Sequence, residues 1–339
     1  MTYYQKVQIT ASTDVSGVPE VPYVKADIQT YKYLKFEQGP GNTNVAIIEA
    51  TGTEYATLQE AFDEVADGQT IKFMDNIIFT GYISIPDGTT KSFTLDLNDY
   101  TLYGYSTGGG LISHSGSGTI TITDSSVNGG GRIINEADWG QTIALNSGNL
   151  VIAGGTVENL ETQSVSSPAT IVNNGSGSIT ITGGQVLGRS NVILNGTGSV
   201  DISGGMVRNT GTGRVIYSSG GKVTISGTAM LTSTYGGGSF TGAIEFYKVS
   251  DTPITILEIK GGTIDNNGSA NAIYIRQTDF LAVSISSGPS VIKSGGSAIN
   301  VAPHVEEGVK VTASTDYDGT TTVDYVQTQI NNYKYLRFE

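Results

Sequence analysis

The stretch Gly148-Asn149-Leu150-Val151-Ile152-Ala153-Gly154-Gly155-Thr156-Val157 decides the fold. It alternates apolar and polar residues, breaks at a Gly-Gly step, and starts a second alternation. Close copies run from Gly177 to Val186 and from Gly198 to Val207. Looser copies start at Gly118 and Gly221, pass through Ile259-Lys260-Gly261-Gly262-Thr263-Ile264, and surround Val283 and Ile285. The second apolar anchor falls at Ile122, Ile152, Ile181, Ile202, Ile225, Ile259 and Ile285, spaced 30, 29, 21, 23, 34 and 26 residues apart. Strands that persist while their spacing varies imply fixed walls joined by variable corners.

Between anchors lies a further short apolar stretch: Thr142 to Leu145, Ala243 to Phe246, Ala272 to Ile275 and Ala298 to Val301. Each period therefore holds about three strands. One such coil cannot bury its apolar side chains, whereas stacked coils pair edge to edge and fill a shared bore. The expected fold is all-β, a right-handed parallel β-helix with three strands per coil. At the usual strand separation of ~4.8 Å, seven or more coils make a rod of roughly 35 to 45 Å. An open end invites edge pairing. Residues 57–67 supply a short capping helix, with Thr57 and Glu60 at capping-box spacing, an apolar stripe of Leu58, Ala61, Phe62 and Val65, and Gly68 to end it.

A second repeat pairs residues 7–37 with residues 309–339 at a constant offset of 302, with 17 of 31 positions identical. It reads either as matching flanks of one protein or as one period of a tandem array. The close of the sequence on Phe338-Glu339, the match of Phe36-Glu37, favours the array. The expected division is a segment 1–44 belonging to the end of a preceding unit, a β-helix over 45–305, and closing strands over 306–339. End-to-end contact with a neighbouring unit is a corollary.

Composition narrows the function. Of 339 residues 46 are glycine, and 18 basic against 31 acidic residues give 18 − 31 = −13. An acidic chain without basic clusters is a poor partner for nucleic acid or anionic lipid. No apolar run reaches the ~20 residues of a membrane span, and the first residues lack the pattern of a secretion signal. The chain has no cysteine and only His114 and His304, which excludes thiolate chemistry and leaves no imidazole metal cluster; neither cofactor nor metal is expected.

Tyr55-Ala56-Thr57-Leu58-Gln59-Glu60-Ala61, then Asp67-Gly68-Gln69-Thr70-Ile71-Lys72-Phe73, then Leu95-Asp96-Leu97-Asn98 resemble the opening of pectate-lyase-like β-helix modules in large, repetitive surface proteins of Gram-positive bacteria. Asp99 stands where that pattern has Gly. The closing Tyr-Lys-Tyr-Leu is similar to the junction between such modules. The resemblance implies an extracellular, cell-surface or secreted setting and carries over no catalytic residue.

Candidate sites follow from the walls and corners. Outward positions of the first strand place Asp201 and Glu258 two coils apart, about 9.6 Å at the usual strand spacing. That is marginally suitable for an inverting glycosidase pair and equally suited to keeping a sheet face soluble. The same column carries Thr121/Thr123 and Thr180/Thr182, a partial Thr-x-Thr array of the ice-binding kind. Another outward column offers Glu245, Tyr247, Tyr274, Arg276 and Asn300, in which rings stack on sugars while Arg and Asn bond hydroxyls. The corner loops gather Glu136, Asp138, Trp139, Glu158, Glu161, Arg208, Arg214, Tyr235, Phe240 and Asp265, with Trp139 and Tyr235 as sugar platforms. Asn146, Asn173, Asn174 and Asn195 suggest a stacked amide ladder. Asp316-Tyr317-Asp318-Gly319 reads as a turn rather than a calcium loop.

The function expected from these features is a non-enzymatic structural or adhesive rod that presents a glycan-binding face. The alternative is a polysaccharide lyase or glycoside hydrolase using Glu245, Arg276, Asp201 or Glu258, and ice binding is a distant third.

Overall fold

Alternation along each motif copy commits one side of every strand to the interior, and stacking then sets like against like. A computed structural model describes residues 7–16, 21–22, 29–38, 44–161, 169–237, 241–247, 256–276, 283–286 and 288–339. The chain is mostly β, its strands stacked in parallel sheets as an all-β solenoid.

Three faces run the length of the stack. On the first, Leu95, Ile122, Ile152, Ile181, Ile202, Ile225, Ile259 and Ile285 are successive register partners, all buried. The seven anchors thus form one interior file. The second face carries Leu102, Ile133, Val157, Val186, Val207, Leu231, Ile264 and Ile292 in the same way. The third, eight strands wide, is lined by Ile83, Ile112, Ile143, Ile171, Ile193, Ile216, Ile244 and Ile273. An isolated bridge to Ile299 begins its next row. β-branched isoleucine suits both the extended backbone and a neighbour stacked directly above it.

Glycine keeps the corners close. At Gly184 and Gly205 φ is +65° and +70°, which a side chain would strain. Gly177 and Gly198 do not need that freedom. A Cβ on Gly177 would lie 1.7 Å from the carbonyl oxygen of Gly148, and one on Gly198 would lie 2.0 Å from that of Gly177. Each coil's corner rests on the backbone of the coil before it.

Two sets of amides secure the turns. Asn173 donates to Asn195 (3.2 Å) and Asn195 to Ser218 (3.2 Å), while Asn174 bonds Asn146 (3.2 Å) on the exposed side. These are the expected ladder asparagines, divided between an inner and an outer row. A second set closes the second-to-third corner: Asn135 bonds the Gln141 carbonyl at 2.8 Å, Asn159 that of Gly140 at 2.6 Å, and Asn266 that of Ala270 at 2.8 Å, with Asn209 on Ser190. All four are buried, and they supply side-chain donors to corner carbonyls.

The helix, α1 (Leu58–Glu64), has the predicted capping box at Thr57 and Glu60 and buries Leu58, Ala61 and Phe62. It is shorter than the 57–67 expected, because Val65 turns extended at ψ 133° and buries its branched side chain. Phe62 meets Phe93 edge to face at 5.1 Å. The Gln59 carboxamide pairs both ways with Ser84, donating to its carbonyl (3.1 Å) and accepting from its N–H (3.0 Å). It thereby stands in for a strand beside Ile83–Ile85. Asp99, where the resemblance expects Gly, holds φ +69°. Its carboxylate accepts from Gly130 N–H and from Asn128, each at 3.0 Å.

Candidate functional site

The third face turns outward at alternate positions, and there Tyr217, Glu245 and Tyr274 are register partners in successive coils. Arg214 precedes the first of these strands and Arg276 follows the last. The Glu245 carboxylate receives Arg214 Nε at 2.6 Å on one oxygen, and Arg276 Nε at 2.9 Å and Nη2 at 2.8 Å on the other. Each arginine also lies over tyrosines. Arg214 is 5.0 Å from the ring centre of Tyr217 and 5.3 Å from that of Tyr235, and Arg276 is 4.7 Å from that of Tyr247. Tyr217 and Tyr247 are 6.2 Å apart and tilted. Burial, with the Glu245 charge added, pushes the Tyr217 hydroxyl above its ordinary pKa.

Glu245 lies on the outward side of its strand, as the alternation predicts, yet it is 0% exposed. Two guanidinium groups and the tyrosine rings cover it. Both carboxylate oxygens are taken up by the two guanidinium groups, so the groups presented at the surface are the covering ones. Tyr247 is the most open of these at 52%. Of the predicted column, the structure brings together Glu245, Tyr247 and Arg276, with Tyr274 next to Glu245 in register, and adds Arg214, Tyr217 and Tyr235.

Asn300 belongs elsewhere. Its carboxamide donates to the Ile275 carbonyl at 2.8 Å and accepts from the Ile275 N–H at 2.7 Å. Both ends of the third sheet thus finish on a side-chain amide, Gln59 at the start and Asn300 at the close.

Asp201 and Glu258 sit on the first face with Thr224 between them. Glu258 is bonded by Lys222 at 2.6 Å and Lys260 at 2.9 Å. Lys222, with Lys260 beside it, holds its carboxyl below the usual range. A general acid needs the opposite shift, and in this column Glu258 stands in ion pairs with both lysines.

Trp139 is 56% exposed, at φ +66°, in the turn before Ile143–Leu145. Along the isoleucine file that is three to five rows from the Arg214–Glu245–Arg276 group, so the two aromatic candidates form separate places. Near Trp139, burial raises the Glu161 carboxyl above its ordinary pKa; the Trp139 N–H opposes this and the Asp138 charge adds to it. Glu158 forms an ion pair with Arg132. Phe240 lies outside the described residues.

On the second face Arg208, Thr232, Asp265 and Tyr317 line part of a cleft of about 360 Å³. Lys293 reaches Asp265 at 3.0 Å, and the Tyr317 hydroxyl donates to the same carboxylate. Asp316 accepts from the N–H groups of Thr320 (2.9 Å) and Thr321 (2.8 Å), forming a turn. Partial burial, which alone would raise its carboxyl, is outweighed by these bonds, Thr321 first, and its pKa falls to about 2.

Among the described residues no three His, Asp or Glu side chains gather as a metal site, and no helix is long and apolar enough to cross a membrane. The sequence matches no family model, no curated protein and no solved structure.

Proposed function

We propose that this chain is a stiff, non-enzymatic rod of a bacterial surface protein, a structural or adhesive module whose third face binds glycans. The observation that carries the reading is the locking of Glu245 between Arg214 and Arg276 beneath the open ring of Tyr247. Such a surface offers a ring for the apolar side of a sugar and guanidinium N–H groups for its hydroxyls, with the carboxylate spent on holding both arginines in place. The rod winds right-handed in this reading, because crossover connections between parallel strands of one sheet take that hand in nearly all proteins. The helix α1 serves as its cap, supported by the Gln59–Ser84 pairing and the buried Phe62. The kinship to pectate-lyase-like surface modules, and with it the extracellular setting, belongs to the same proposal.

A glycan array with the full chain tests it. Binding that is lost in Tyr247→Ala and in Arg276→Ala, and retained in Thr180→Ala on the first face, supports the reading. Uniform failure to bind reduces the chain to a spacer. Turnover of acidic or neutral polysaccharides that disappears in Glu245→Gln would replace the adhesin by an enzyme.

A further inference from the structure

The two copies of the terminal repeat fold alike and are used differently. In each, the first strand runs antiparallel to the last in the same register: Ala11 opposite Leu34, and Ala313 opposite Leu336. The short middle strand keeps register too, with Ala11 opposite Val21 and Ala313 opposite Val323. In the second copy the strand Tyr335–Phe338 is paired on both edges. Val311–Ser314 lies on one side, and on the other Ser290–Ser294 sets Ile292 against Leu336 and Lys293 against Tyr335. In the first copy the sheet is ordered 21–22, 7–12, 33–38, and among the described residues the strand Tyr33–Gln38 is paired along one edge only.

Burial follows the pairing. Leu336 is 0% and Tyr333 1% exposed, while their counterparts Leu34 and Tyr31 are only half-buried. Val15 stands at the position of Tyr317 and is 75% exposed. Tyr317 instead lies beneath Lys293, whose Nζ is 4.5 Å from its ring centre, and bonds Asp265 of the solenoid. The first copy therefore has the shape of a docked segment without the surface it docks on.

We propose that the strand Tyr33–Gln38 is a docking edge for a second copy of this solenoid. It pairs antiparallel with the Ser290–Ser294 strand of a copy whose own Tyr335–Phe338 has left that edge, taking that strand's place in the same register. An open strand edge supplies a row of N–H and C=O groups, and strand addition satisfies them while a few side chains set the register. Tyr33 and Leu34 repeat Tyr335 and Leu336, so the apolar contact with Ile292 and the ring beside Lys293 are both retained. Val15 cannot make the bond to Asp265, so this docking is weaker than the one observed. Copies joined in this way lie end to end. The inference stands whether or not the rod binds glycans.

The test is a full chain in which residues 309–339 are replaced by the sequence of residues 7–37, followed by amide hydrogen exchange. The expected result is protection of Ser290–Ser294 within about ten-fold of the parent chain. Leu34→Asp placed in the graft lowers it by roughly a hundred-fold or more. The proposal is overturned if Ile143–Leu145 stays protected while Ser290–Ser294 does not, or if protection ignores Leu34→Asp. Should the graft fail to fold, sedimentation of the otherwise natural chain carrying Leu336→Asp decides. End-to-end dimers that vanish on adding Leu34→Asp support the docking edge, and a monomer throughout overturns it.

Discussion

Replacing Glu245 by alanine removes the one group that holds Arg214 and Arg276 together, and the two arms of that interaction differ in worth. The Glu245 side chain is 0% exposed and that of Arg214 15%, so their bond is sheltered, and a charge-assisted hydrogen bond of this kind contributes about 1.5–3 kcal/mol. The Arg276 side chain is 39% exposed and can be rehydrated, which places its arm nearer the ~0–1 kcal/mol of a surface pair. Glu245→Ala should therefore cost roughly 2–4 kcal/mol, most of it from a half-buried Arg214 left without its anion. Hydrogen exchange at the amides of Gly242–Phe246 and of the neighbouring strand Asn271–Ile275 reads this as the free energy of local opening. A double-mutant cycle with Arg214→Leu should return a coupling of ~1.5–3 kcal/mol, and one with Arg276→Leu less than about 1 kcal/mol. Equal couplings, or a coupling to Arg214 below about 0.5 kcal/mol, would show that the carboxylate does not organise the face. A catalytic Glu245 behaves in the opposite way: Glu245→Gln would abolish turnover while leaving local opening unchanged or slower.

Four further perturbations test other parts of the structure. Ile193→Ala, within the third file, should cost about 2–5 kcal/mol in urea unfolding, whereas Thr180→Ala on the outward row should stay within ~0.5 kcal/mol. Gly198→Ala forces its methyl against the Gly177 carbonyl and should destabilise by roughly 1–3 kcal/mol, with faster exchange in the coils on either side. Asn300→Ala should open the end of the third sheet, seen as faster exchange of the Ile275 amide with little change at Ile143. Because burial raises the folded-state pKa of Glu161 above its unfolded value, its contribution is present in acid and lost as pH rises through the folded pKa. Glu161→Gln should therefore melt higher than the parent at pH 7, and the gap should close toward pH 4; a gap independent of pH would refute the assignment.

Walls were legible in the sequence because isoleucine and valine recur at period two in every coil, and a one-residue slip would turn the whole file outward. The Gly-Gly corners were legible for the same reason, although positive φ explains only part of them: Gly177 and Gly198 are required by the carbonyl one coil away. The second amide set was within reach. Asn135, Asn159, Asn209 and Asn266 each stand two residues after the second-strand apolar position, so the motif extends to Gly-Gly-x-apolar-x-Asn at all four. The burial of Glu245 was not readable from alternation. Its cover comes from Arg214 and Arg276, each 31 residues away, and a period-two pattern says which side a residue faces without saying what lies over it. Asn300 shared the outward column with sugar-binding residue types, and only the geometry of its amide against Ile275 separates it from them.

Corner glycines such as Gly177, Gly198 and Gly221 rest on a carbonyl of the coil beneath, so neighbouring coils there repeat one stacking contact. Inserting or deleting one whole turn, 21 to 34 residues as the anchors are spaced, leaves its former neighbours facing surfaces they already fit. The molecule can thus change its reach in steps of ~4.8 Å without redesign of its ends.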